Sequence, residues 1–221
     1  MIRSALVLVA LAGAARAQPT KPSPAAALLT AVEANYKAPR HLKVTFEQTV
    51  TNAVSGQVQE APGVFYVEKP DKLRFDFFQP KRKDPKLKSQ YFLDGKTLWV
   101  LDHKNTQYAK QSAANSELPA TVAFFLGAGS LARDFNVATT TASLPAGTTG
   151  LELTPKKPSA TYAKIVLAVD AKRMVTQVVI VNSSGNTQTM KFSAVEIDKP
   201  APKNWFVVDA KAIAGYRVIK P

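Results

Sequence analysis

From Leu42 onward, apolar and polar residues alternate: Leu42, Val44 and Phe46 interleave with Lys43, Thr45 and Glu47. A period of two is what a strand with one buried and one wet face requires. The same pattern predicts strands at 63–68, 73–78, 90–93, 97–102, 135–138, 151–154, 162–169, 175–181, 187–195 and 205–209. Asp94-Gly95 and Ser184-Gly185 mark hairpin turns between successive runs, because such turns need residues that tolerate φ > 0. Two stretches break the period. In 25–36, Leu28, Leu29, Val32 and Tyr36 recur at helical spacing after Pro24, and Pro39 ends the run. In 117–126, Leu118, Val122, Phe125 and Leu126 fall at i, i+4, i+7 and i+8, and the glycines at 127 and 129 close a second helix. The expectation is a mainly β chain of about 11 short strands, an antiparallel sheet rolled toward a barrel, with one helix before it and one in its middle.

The amino-terminal segment stands outside this pattern. Arg3, an apolar run over 5–14 and a small-x-small end at Ala15, Arg16 and Ala17 read as a secretory signal peptide (1–17) cleaved after Ala17. The run is shorter than the ~20 residues a spanning helix needs. Residues 18–24 then form a polar, proline-containing leader, and 25–221 a single domain. An exported chain can form disulfides, but this one has no cysteine, so its fold rests on packing and it carries no lipid-anchoring thiol. Loss of Arg3 and Arg16 lowers the formal charge from +13 to +11, still strongly basic. That balance implies acidic partners or anionic membrane surfaces, and export excludes nucleic acid as the expected ligand.

Chemistry has little foothold. His41 and His103 are the only histidines, neither with an acidic partner at a telling spacing, and no zinc, nucleophilic-serine or thiol motif occurs. No catalytic residue, metal or cofactor is expected.

Several segments instead follow, in order, the pattern of a family. L-K-V-T-F-E-Q at 42–48, G-V-F-Y-V-E-K-P at 63–70, L-R-F-D at 73–76, D-G-K-T-L-W at 94–99, L-E-L-T-P-K at 151–156 and W-F-V-V-D at 205–209 resemble LolA, the periplasmic carriers of outer-membrane lipoproteins. The resemblance implies an incomplete, unclosed antiparallel β-barrel with a hydrophobic cavity under an α-helical lid. It makes Phe46, Phe65, Leu73, Phe75 and Trp99 candidates for the acyl-chain lining, and Leu28, Val32, Tyr36, Leu118, Val122, Phe125 and Leu126 the lid residues. For any one aromatic, plain core packing is an equal reading. The implied partners are lipoprotein acyl chains, an inner-membrane lipoprotein-releasing ABC transporter and an outer-membrane lipoprotein receptor. The implied carrier is a periplasmic monomer.

Two departures stand out. The family places an arginine before the proline of this strand end, and the resemblance assigns it to contacts with the lid. Here the residue is Lys69, a point charge where arginine offers a fork of donors. Arg74 alternates with Leu73 and Phe75 and so belongs to the opposite face. Lys81, Arg82, Lys83, Lys86 and Lys88 also form a basic loop, read either as a dock for an acidic rim or as solvated charge. These departures keep a second reading open, a LolA-like carrier or sensor of another envelope lipid or lipid-linked metabolite.

Overall fold

The first helix, α1 (Pro24–Lys37), begins where local chemistry allows. Ser23 Oγ accepts from the Ala26 N–H at 3.2 Å, and Pro24 occupies the first turn, where its missing N–H costs nothing. Ser23 and Pro24, assigned by sequence to the leader, therefore belong to the helix start. The computed structural model describes residues 22–80, 83–115, 124–126, 129–142, 144–159 and 162–220. The predicted signal segment and 18–21 of the leader lie outside them, as do Lys81, Arg82 and most of the predicted helix at 117–126, including Leu118 and Val122.

Two antiparallel meanders follow. The first comprises β1 (His41–Thr51), β2 (Val58–Glu68), β3 (Lys72–Phe78), β4 (Leu87–Asp94), β5 (Thr97–Asp102) and β6 (Gln107–Ser112). The short helix α2 (Leu131–Asp134) leads into the second, which comprises β7 (Phe135–Thr140), β8 (Thr149–Pro155), β9 (Lys164–Val169), β10 (Val175–Val181) and β11 (Thr187–Ile197). Ten residue pairs from Leu42↔Ile197 to Thr51↔Thr187 join β1 to β11 and fuse the meanders. The chain then returns to add β12 (Arg217–Val218) parallel to β6. The order β12-β6-β5-β4-β3-β2-β1-β11-β10-β9-β8-β7 makes one unclosed sheet of twelve strands among the described residues, with β7 and β12 at its edges.

The differences from the sequence reading have physical causes. Residues 205–209, predicted as a strand, run through turns, and β6 and β12 were not predicted. β6 (Q-Y-A-K-Q-S) is too polar to show alternation, and β12 has only two residues. β2 starts at Val58, five residues before its predicted start, despite Pro62. Pro62 is tolerated because β2 is paired only to β1 there; its register with β3 begins at Gly63↔Phe77. The β4–β5 hairpin forms, but Asp94 ends β4 and the two loop residues are Gly95 and Lys96, with φ +93° at Gly95. The Asp94 carboxylate accepts from the N–H groups of Lys96 and Thr97 at 2.9 and 2.8 Å, closing the turn. At the second hairpin, Asn182 and Asn186 bracket a turn with Gly185 at φ +80°.

The sheet buries both faces, for different reasons. One face joins α1 in the main core, where Leu29, Val32, Val44, Phe65, Leu151, Leu153 and Ile165 are fully buried. The other carries Phe92, Leu101, Ala109 and the buried polar pair Asp76 and Gln90. The carboxy-terminal segment crosses this second face and lays Trp205 against Tyr66 and Arg74, with Phe206 buried.

Candidate functional site

Along β3 the face under α1 receives Leu73, Phe75 and Phe77, and along β5 Leu98 and Val100. With Phe65, Tyr91, Val178, Ile180, Met190 and Phe192 from the neighbouring strands they line a cavity of about 720 Å³. That volume is ordinary for a small-molecule or lipid-chain site. Aromatic rings form much of its wall: Phe65 lies 4.9 Å from Phe75, 5.0 Å from Phe125 and 5.9 Å from Phe192, centroid to centroid. The polar groups, among them Gln48, Ser89, Lys88, Asn182, Asn186 and Gln188, lie toward the strand ends at one end of the sheet. The arrangement can accept apolar matter inside and a polar group at the rim.

Of the five residues predicted to line it, Phe65, Leu73 and Phe75 do so. Phe46 does not. It is 1% exposed and packs behind the wall against Phe65, Phe75 and Phe77. Trp99 is on the wrong face: it alternates with Leu98 and Val100, stacks near Tyr108 at 5.7 Å and lies under the Lys110 ammonium at 5.3 Å. The missed lining residues were within reach of the sequence pattern. Leu93 and Leu98 pair across the Gly95 hairpin, so register fixes Leu98 rather than Trp99 on the face of Leu93. Met190 and Phe192 carried no such anchor.

The helix is fastened over this face through Tyr36. Its hydroxyl accepts from the Val175 N–H at 3.0 Å, and its ring packs on Phe124 and Phe125 at 5.2 and 5.5 Å. Burial pushes the phenol's pKa up to about 12, so it stays protonated. Val32 is fully buried beside it and Leu28 packs at the core's margin. Of the second predicted lid segment, Phe125 and Leu126 are buried in the same core. Glu33 on α1 accepts from the N–H groups of Leu131 and Ala132 at 2.5 and 3.3 Å, tying α1 to α2.

Lys69 sits where α1 ends. Its ammonium donates to the carbonyl oxygens of Tyr36 and, at 3.0 Å, Lys37, two of the acceptors that a helix leaves unmatched at its C-terminus. Burial lowers its pKa from the ordinary lysine value. Arg74 lies on the opposite face, as alternation requires, and is held there by Asp76 at 2.8 and 3.0 Å.

His103, in the turn between β5 and β6, is half-buried in a network. Gln90 uses its amide N–H₂ on Asp76 at 2.6 Å, so its oxygen accepts from His103 Nε2–H at 2.9 Å. His103 Nδ1 then accepts from the Tyr216 hydroxyl at 2.7 Å. Among the described residues no group of three or more His, Cys, Asp or Glu could hold a metal ion.

An unclosed antiparallel sheet with a helix packed on one face and an apolar cavity on that same face is an incomplete β-barrel scaffold. The family "Outer membrane lipoprotein carrier protein LolA" matches residues 38–209, and the chain belongs to that family. It is similar to the outer-membrane lipoprotein carrier protein of Methylobacillus flagellatus, at 24% identity over 82% of this chain and 85% of that protein. It is also similar to the one from Chromobacterium violaceum, at 29% identity over 69% and 68% respectively. In fold it resembles the crystal structure of an uncharacterized conserved protein from Thermus thermophilus, with a TM-score of 0.53 at 11% identity, covering 88% of this chain and 98% of that one.

Proposed function

We propose that this protein is a periplasmic carrier. It binds the acyl chains of lipoproteins released from the inner membrane and delivers them to an outer-membrane receptor. The observation that carries the reading is the aromatic-walled cavity of about 720 Å³ on the sheet face that also packs α1, in a chain of the LolA family.

Physical need supports it. Each methylene exposed to water costs about 0.8 kcal/mol, so one long acyl chain costs on the order of 10 kcal/mol and cannot cross an aqueous compartment unaided. A carrier must hide such chains and also release them, which favours a moderate affinity and a cover that opens. In this reading α1, Phe125 and Leu126 form that cover, Lys69 is its latch, and Phe65, Leu73 and Phe75 hold acyl chains. No bond is made or broken; transfer runs down a gradient of cavity affinity, the energy entering where an ATP-driven transporter releases the cargo. The carrier works as a monomer.

The test is incubation of the purified mature protein with spheroplasts displaying outer-membrane-destined lipoproteins. The expected result is a soluble one-to-one complex, lost in Phe75→Asp and retained in Trp99→Ala. A folded protein that releases no lipoprotein and holds free lipid would overturn the lipoprotein reading in favour of another envelope lipid.

A further inference from the structure

Antiparallel alternation places the turns joining β1 to β2, β3 to β4, β5 to β6 and β10 to β11 at the same end of the sheet. The cavity reaches this end at Lys88, Ser89, Asn182 and Asn186.

The β1–β2 turn presents Val54 almost wholly to solvent, at 93% exposure, with Val58 at 55% where β2 begins. Val54 is not on a loose loop. Asn52 exchanges backbone hydrogen bonds with Gln57 and Gly56 at 2.9 Å each, and its side chain accepts from the N–H groups of Val54 and Ser55 at 3.0 and 2.9 Å. Asn186 Oδ1 accepts from the Ala53 N–H at 2.9 Å and ties the turn to the β10–β11 hairpin. A braced turn thus holds an apolar side chain outward, with no described residue covering it.

Lysines gather at the neighbouring β3–β4 and β5–β6 turns. Lys83, Lys86 and Lys104 are exposed, and Lys88 lines both the main cavity and a second hollow that Val58, Pro80 and Lys104 share. None of these four lysines forms an ion pair with a described residue. Among the described residues at or beside the β1–β2, β3–β4, β5–β6 and β10–β11 turns, the acids are Glu60, Asp84 and Asp102. Asp102 is engaged by the Asn105 backbone and side chain at 3.1 and 2.6 Å, so the local balance is basic.

A protruding apolar tip beside ammonium groups that form no ion pair with a described residue fits a surface with negative charge above an apolar layer. We propose that this end of the sheet docks on an anionic phospholipid bilayer, with Ala53 and Val54 entering the headgroup region, Lys83, Lys86, Lys88 and Lys104 meeting phosphates, and the cavity rim facing the membrane. Docking here is weak and salt-dependent, and it stands whether the cargo is a lipoprotein or another lipid.

The test is co-sedimentation of the cargo-free mature protein with vesicles of phosphatidylglycerol and phosphatidylcholine, against phosphatidylcholine alone. Binding is expected only to the anionic vesicles and is lost at about 0.5 M salt, where screening shortens to a few ångströms. Val54→Asp and the double variant Lys86→Glu/Lys104→Glu should each weaken it by roughly tenfold or more. Lys96→Glu/Lys172→Glu, with the same change in net charge at the opposite end of the sheet, should bind like the wild type. Circular dichroism of each variant separates a docking defect from misfolding. Absence of binding to anionic vesicles overturns the proposal and leaves an acidic protein as the partner of this face. Equal loss in the two charge-reversed pairs overturns it too, because net charge alone would then account for the binding.

Discussion

The guanidinium of Arg74 lies 4.1 Å from the ring of Trp205 and donates to the Trp205 carbonyl at 3.0 Å, clamping the carboxy-terminal segment onto the sheet face that the cavity does not use. The same Arg74 forks onto Asp76, whose side chain is 7% exposed. Two roles thus meet in one residue. Removing it would leave a buried carboxylate with only Gln90 as a described side-chain donor, a change that costs about 3–5 kcal/mol in comparable buried pairs. Arg74→Ala is therefore expected to lower the denaturant midpoint sharply, while Trp205→Ala loses ring packing but leaves the Arg74–Asp76 pair. Equal, small losses in the two variants would contradict this account. Cargo affinity in the folded fraction should be unchanged in both.

The His103 network, which ties Tyr216 of the carboxy-terminal segment to the sheet, gives stability a pH dependence whose sign follows from burial. Desolvation lowers the His103 pKa from its ordinary value of about 6.5, only partly opposed by the negative charges of Asp102 and Asp76. In the unfolded chain the imidazole takes up a proton at the ordinary value; in the folded chain it does so at lower pH. The neutral ring's contribution is present above about pH 6.5 and is lost as pH falls through the window down to the folded value. Melting temperature measured from pH 7.5 to 5 should fall more steeply for the wild type than for His103→Gln. Parallel curves would remove His103 as the cause.

The sequence made the strands legible wherever one face was apolar and the other polar. The first part of β1 and the second part of β2 follow their alternation residue for residue. It failed where burial comes from a covering segment remote in sequence. Phe92 and Leu101 are buried by neither α1 nor the cavity, so their strands look apolar on both faces, and Trp99 was an open choice between them. Likewise the W-F-V-V-D run has the composition of a strand, but its backbone turns so that Trp205 can sit under Arg74. The cavity's floor was readable at Phe65, Leu73 and Phe75, whereas Val178 and Phe192 join it only because β11 pairs with β1, a contact between distant segments that no local pattern encodes.

Gly63 is a position at which the sheet has no room for a side chain, as Gly150 is in β8. It is paired with Phe46 across β1 and β2, and a Cβ there would lie 2.4 Å from Phe46 Cζ and 2.8 Å from the Asp76 carbonyl oxygen. The ring of Phe46 rests on the bare glycine, which is why Phe46 packs behind the cavity wall. Gly63→Ala is expected to destabilise the fold by about 1–3 kcal/mol through overpacking. The double variant Gly63→Ala/Phe46→Leu should recover part of that loss in a thermodynamic cycle. Additive losses would mean that the Asp76 backbone, not the ring, is the obstacle.

Lys69 tests whether α1 behaves as a cover. Its ammonium meets the carbonyls of Tyr36 and Lys37, so it holds the last turn of the helix to the end of β2 while Tyr36 anchors the same turn to Val175. Lys69→Ala removes only the first fastening. Amide exchange in the last turn of α1 should then accelerate by about tenfold, the consequence of losing a charge-assisted bond of roughly 1.5 kcal/mol, with global stability falling less. Tyr36→Phe removes the other fastening and leaves the Val175 N–H without its hydroxyl acceptor, so a comparable acceleration is expected there. If α1 gates the cavity, both variants release a bound fluorescent fatty acid faster than the wild type, and Lys69→Arg, whose planar fork can reach both carbonyls, releases it more slowly. Faster amide exchange with unchanged release would show that the helix end is merely structural and that the cavity opens elsewhere.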